Sequence, residues 1–383
     1  MRPRQSRRRC LGAVAASLVA LCAGQTLSAL PATAAVEAPA PRSAVTAAED
    51  HAARAIAGSL TDSAWRARVR SAALTSDEVK VTDLAGQAGG TLRSTLTAAD
   101  RRIATAKGLG TEVGTLLRLR LGDASMRTAL AAGTTPWVAA ATQDENATTV
   151  TAYDSHGRAH TLDARTAPAH PVYVVDIDSS KALAAGLDVL TEELSRYGVH
   201  SAAPAAEHTP ADRPQALTAT GGFWTTRITA VELSDDEEPW VKGDAEIYTL
   251  VTGFGQDGKV RVDPVDMPYL DNDGTVYRPN QILVNWSSYK YDLADAVMME
   301  EDGSTNYHDL AQAIATALLT ITDQGAYIPL VNAVLDAIPD DWWTDDPDYV
   351  DSWYTLARGD NGTRYGARGN GWMTVQPYYV SEF

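Results

Sequence analysis

The groups in this chain best placed to do chemistry are its carboxylates, because they are gathered into clusters. Asp235-Asp236-Glu237-Glu238 is followed by Asp244 and Glu246, then by Asp271-Asn272-Asp273 and Glu300-Glu301-Asp302. Asp340-Asp341 and Asp345-Asp346-Pro347-Asp348 with Asp351 complete the series. Calcium takes about six to eight oxygen ligands, mostly carboxylate and carbonyl, from flexible loops. Ionised aspartates crowded into one loop repel one another unless a cation sits among them. The expected ligands are Asp235, Asp236, Asp244, Glu246, Asp345, Asp346, Asp348 and Asp351, with Asp271 and Asp273 as a second tier. The metal's expected role is structural, neutralising acidic loops at the ends of strands. The alternative is a solvated acidic surface that keeps the protein soluble.

Other chemistries find less support. Asp271-Asn272-Asp273-Gly274 begins like an EF-hand, but Val276 stands where that loop needs glycine and Ile282 where it needs glutamate. Of seven histidines, His308 alone falls after position 220, and no H-E-x-x-H occurs. His156 and His160 are four apart in a turn-like stretch, DSHGRAH, and read as exposed loop residues. No G-x-S-x-G elbow, P-loop or dinucleotide fingerprint follows a strand. A carboxylate-dependent hydrolase acting on polysaccharide is the alternative function, because acids and tryptophans are plentiful; spacing singles out no catalytic pair. A non-enzymatic binding or adhesion role is the main reading, with an extracellular protein or carbohydrate as partner. Trp342, Trp343 and Trp353 are its candidate aromatic contacts, although Trp353 alternates with core residues and reads as buried.

The elements that would position these groups change character along the chain. From about Ala47 to Leu130 the sequence is rich in Ala, Leu, Arg and Thr with helix-like spacing, and the leucines from Leu116 to Leu121 belong to that stretch. Trp137–Ala140, Thr148–Tyr153 and Val172–Val175 read as strands. A helix capped by Ser179 or Ser180 runs to about Tyr197, with Leu183, Leu187, Leu190 and Leu194 on one stripe. Residues 199–220 contain three prolines and read as a linker. Beyond them, strands are expected at 223–232, 246–252, 281–286, 296–300, 349–356 and 372–377. A helix capped by Asn306 and a second over 328–338, ending at Pro339, interrupt them. The expected fold is α+β. An Ala-rich α+β region (47–198) precedes an acidic, predominantly β, C2-like antiparallel sandwich (221–383) with an inserted helix pair.

Composition agrees with two parts. Residues 221–383 carry 28 acidic and 9 basic side chains, with seven of the nine tryptophans and all three phenylalanines. The whole chain has a net charge of −17, which repels nucleic acid and anionic membranes. At the N-terminus five arginines precede an apolar run from Leu11 to about Cys22 and an Ala32-Thr33-Ala34 cleavage site. That order defines a secretory signal over 1–34, followed by a flexible leader over 35–46. Ser6-Arg7-Arg8 also resembles a twin-arginine signal. Both cysteines lie inside the signal, so the exported chain has no disulfide or thiolate chemistry. No later segment is apolar enough to span a membrane.

The stretches DDEEPWVKGDAEIY, MPYLDNDGTVYRPNQILVNW, EEDGSTNYHDL and DDWWTDDPDYVDSWYTL, in that order, resemble the secreted bacterial family catalogued as domain of unknown function 3103. The resemblance covers Gly221 to Pro377 and extends back to about Ala47. It implies a continuous fold and an exported habit. The family has no established activity, so it implies no mechanism.

Overall fold

The computed structural model describes residues 43–87, 90–142, 147–202, 221–234, 240–242, 245–301, 303–338 and 349–381. The signal over 1–34, most of the leader and linker, Asp235, Asp236, Asp244, Asp345, Asp346, Asp348, Trp342 and Trp343 lie outside the described residues.

In the first half, α1 (Ala44–Ser59) is capped by the Ser43 hydroxyl and α2 (Ser63–Thr75) by Asp62, each accepting a first-turn N–H. Strand β1 (Glu78–Val79), helix α3 (Val81–Leu84) and helix α4 (Gly90–Ala106) follow. Next come β2 (Leu117–Leu121), α5 (Arg127–Ala131), β3 (Trp137–Ala140), β4 (Thr149–Tyr153), β5 (Ala159–Asp163), β6 (Val172–Ile177) and α6 (Ser179–Tyr197). The six strands form one sheet in the order β1-β2-β6-β3-β4-β5, with β3 and β6 parallel and every other pair antiparallel. Strand β6, VYVVDI, is buried at every position, as a central strand covered on both faces must be.

Two local readings change. The leucines from Leu117 to Leu121 form strand β2 instead of a helix. In LRLRL the leucines alternate with Arg118 and Arg120, and period two is the strand signal. The cap of α6 is Asp178, whose carboxylate accepts the Lys181 N–H at 3.1 Å, in place of Ser179 or Ser180.

The second half contains β7 (Gly222–Leu233), β8 (Ile247–Phe254), β9 (Val260–Asp266), β10 (Gln281–Asn285) and β11 (Leu293–Glu300). The helix pair follows as α7 (Tyr307–Leu318), capped by Asn306 as expected, and α8 (Val331–Leu335). Strands β12 (Tyr349–Ala357), β13 (Gly362–Tyr365) and β14 (Gly371–Ser381) finish the chain. Two four-stranded antiparallel sheets result, β10-β7-β14-β13 and β12-β11-β8-β9. Their facing side chains, among them Ile228, Val231, Val251, Met298, Trp353, Met373 and Val375, form one core. The fold is α+β with a sandwich in its second half.

Strand β8 is buried throughout because its sheet is covered twice. One face meets the partner sheet. The other contributes Tyr248, Leu250 and Phe254 to a core shared with α1, α4, α6, α7 and α8. The junction depends on Gly186 of α6: a Cβ there would lie 2.0 Å from the Tyr307 ring of α7, so only glycine admits that ring. His200, at the start of the expected linker, adds a rung to the edge of β9 through hydrogen bonds with Val260 and Val262. Both halves therefore belong to a single compact unit.

Candidate functional site

The acidic segment around 235–246 does not stand in solvent where it is described. Trp240 leaves the sandwich and lies against Gly122, where a Cβ would approach the indole to 2.5 Å. Its indole N–H donates to the Asp163 carbonyl at 3.0 Å. Arg120 of β2 donates to the Trp240 carbonyl at 3.2 Å and to the Lys242 carbonyl, and it pairs with Asp176 at 3.3 Å. Lys242 reaches Glu300 at 3.0 Å with both side chains largely enclosed. One arginine of the first sheet thus holds the Trp240–Lys242 segment of the second half.

Just behind this clasp, Glu246 accepts a hydrogen bond from the Ser180 hydroxyl at 3.1 Å. Burial pushes the Glu246 carboxyl up to about 8, against the pull of the Ser179 and Ser180 hydroxyls, and the charges of Asp176 and Glu301 add to the rise. Glu301 has a different setting. It pairs with Lys107 with neither side chain accessible, and it accepts the Tyr307 hydroxyl. Lys107 also donates to the Gly303 carbonyl at 3.0 Å. A carboxyl that holds a proton near neutral pH can serve as a general acid. Glu301, saturated by a cation and a phenol, is spent on structure.

The remaining expected ligands fall elsewhere. Asp351 is fully buried, and its two oxygens accept the backbone N–H groups of Ser352, Arg368, Asn370 and Gly371 at 2.7–2.9 Å. This carboxylate organises the turn between β13 and β14. Strand register sets Glu246 three residues along and two strands across from Asp351, roughly 14 Å away, so the two do not share one ion. Asp271 accepts the Tyr277 hydroxyl at 2.6 Å and the Asn272 amide at 2.9 Å, closing its own turn, while Asp273 is exposed. No group of three His, Cys, Asp or Glu able to hold a metal occurs among the described residues. His156 is exposed in the turn between β4 and β5, where Asp154 accepts the His156 and Arg158 N–H groups, but His160 is a partly buried residue of β5 instead of a loop residue and stacks on Trp137 at 4.0 Å. His308 is half exposed beside Glu193.

A second feature lies on the outer face of β10-β7-β14-β13. Along β14, Met373 and Val375 enter the core, so Trp372, Thr374 and Gln376 face outward. Tyr365 pairs across with Trp372 and is 77% exposed. The Trp372 indole donates to Glu232 at 3.1 Å, and the Thr363 and Thr374 hydroxyls meet at 3.1 Å. At the far end the Arg227 guanidinium stacks 4.2 Å over the Tyr378 ring, while Tyr379 and its cross-strand partner Trp224, with centroids 5.3 Å apart, point to the opposite side of the strands. Trp353 is core, 3% exposed, and its indole donates to the Arg364 carbonyl. The outward aromatics were readable as the period-two run Trp372-x-Thr374-x-Gln376-x-Tyr378, which the acidic loops overshadow.

The fold and these surfaces define a two-part α+β protein with an aromatic outer sheet. The chain belongs to the family described as protein of unknown function (DUF3103), whose profile matches residues 53–382. No curated protein and no solved structure matches it. Among the described residues, no helix is long and apolar enough to cross a membrane.

Proposed function

We propose that this is an exported binding or adhesion protein, and that the outer face of β10-β7-β14-β13 is its recognition surface. The observation that carries the reading is the exposure of aromatic rings on the outer face of one sheet. Tyr365 and Tyr378 are exposed there, and Trp372, paired with Tyr365, is partly buried. Rings left in water on a rigid sheet contribute contact area with little further loss of side-chain freedom, which is the economy of a binding face. The clustered arginines and Ala-x-Ala site at the N-terminus support export.

Calcium is part of the proposal as a structural ion, held by Asp235, Asp236, Asp244 and Glu246 on one loop or by Asp345, Asp346 and Asp348 on another. The concentration of 28 acidic side chains after position 220 favours it. Asp351 takes no part, because backbone N–H groups already fill its acceptor positions. The hydrolase reading rests on Glu246 alone, whose carboxyl is raised by burial to about 8 in the absence of metal.

The test is binding of fluorescently labelled mature protein, residues 35–383, to bacterial cells and to isolated cell envelopes. Wild type should bind, and Tyr365→Ala with Trp372→Ala should not. Equal binding by both proteins defeats the proposed surface. Release of soluble sugar that disappears in Glu246→Gln would instead establish the hydrolase.

A further inference from the structure

Resting on that binding surface, we infer that its ligand is a neutral glycan chain lying along β14. Three observations select this class. First, rings flank hydrogen-bonding groups on the face: Tyr365 and Trp372, then Thr374, then Gln376 with Arg227, then Tyr378. Sugars present C–H faces that stack on aromatic rings, and hydroxyls around the ring that need donors and acceptors in the same plane. Threonine hydroxyls supply both, and the Gln376 amide, whose oxygen accepts from Arg227, offers its N–H groups as donors.

Second, the face is extended. From Trp372 to Tyr378 the strand runs about 20 Å at ~3.3 Å per residue, which fits several linked sugars better than one. The rings at the two ends mark the ends of that track.

Third, the charge and polarity are wrong for the other occupants. A chain of net charge −17 repels an anionic polymer, and Arg227 on this face is already stacked on Tyr378. A protein partner needs an apolar centre, yet the exposed aliphatic side chain placed here, among the described residues, is Ile282. A second copy of the chain would meet the same shortage of aliphatic surface.

The experiment uses the whole mature chain with insoluble cellulose, chitin, xylan and mannan in pull-down assays, followed by calorimetric titration with soluble oligosaccharides of the polymer that retains it. Sedimentation with at least one neutral polymer is expected. Tyr365→Ala and Gln376→Ala should each weaken it about tenfold, the loss when a contact worth ~1.4 kcal/mol is truncated. Tyr354→Ala, an exposed tyrosine on β12 outside this face, should leave binding unchanged. Tyr365 is so exposed that its loss should leave the melting curve intact, which separates binding from folding. If none of the four polymers binds while Tyr365→Ala still abolishes attachment to cells, the glycan assignment is overturned and the recognition surface stands. If attachment to cells is also insensitive to Tyr365→Ala, both are overturned. Concentration-dependent dimers that dissociate in Tyr365→Ala would show that the face binds a second copy, and would overturn the glycan assignment equally.

Discussion

Lys107 and Glu301, 194 positions apart in the chain, form an ion pair in which neither side chain reaches solvent. The lysine follows α4 of the first half. The glutamate follows β11 of the second and also accepts the Tyr307 hydroxyl. The pair ties the two halves at one point, with the shared apolar core around it. Pairing buried charges recovers about what their desolvation costs, so the contact contributes more to specifying the docked arrangement than to stability.

Removing one partner should expose that balance. Lys107→Met leaves Glu301 charged and enclosed, and should lower stability by about 3–5 kcal/mol. Lys107→Met with Glu301→Met should recover much of the loss. Chemical denaturation of the four proteins in this cycle checks it, and a double variant as weak as the single would contradict the account.

Gly186→Ala tests the same junction sterically. The added methyl would meet the Tyr307 ring at 2.0 Å, so α6 and α7 must separate, with a cost of about 1–3 kcal/mol. Gly186→Ala with Tyr307→Leu should be less destabilised than the sum of its single changes. Thermal melts read the difference.

Glu246 should give the protein a pH-dependent stability of unusual sign. Its ordinary value is 4.5 and the folded chain raises it to about 8. Between those values the folded state holds a proton that the unfolded state has lost, so stability falls as pH rises from about 5 to 8. Measured in chelator, Glu246→Gln should flatten that slope and be relatively more stable at pH 8. A wild-type melting temperature that climbs over the same range, with Glu246→Gln unchanged in slope, would rule out the assignment.

Asp348 and Asp351 are three residues apart and should respond in opposite ways to calcium. With free calcium about 100 times above its dissociation constant, a bound ion adds ~2.7 kcal/mol of stability. Asp348→Asn should erase part of that gain and have little effect in chelator. Asp351→Asn places an amide N–H against backbone donors that the carboxylate now accepts, so it should destabilise by several kcal/mol with or without calcium. A melting temperature of the wild-type chain indifferent to calcium and chelator removes the metal from the proposal.

Much of the architecture was legible because local patterns are strong where burial is one-sided. Strand β3 falls on the residues expected, α6 ends at Tyr197 as its leucine stripe predicted, and Asn306 caps α7. The Leu116–Leu121 region misled because crowded leucines satisfy both a helical and a strand face. The alternating arginines decide between them, and one of the two, Arg120, reaches across to the Trp240 and Lys242 carbonyls. Trp353 was correctly read as core.

The amino-acid order alone determined the acidic second half, the two-part composition, the confinement of both cysteines to the first 22 residues and the succession of strands and helices. These depend on counts and on periods of two and 3.6, which are local properties. Tertiary structure decided which carboxylates are still available for chemistry. Asp351 is consumed by four backbone N–H groups from residues up to twenty positions away, Glu301 by a lysine 194 positions away, and burial at the junction raises the Glu246 carboxyl. The availability of a charged group depends on its desolvation and its partners, and both are set by segments that meet only when the chain has folded.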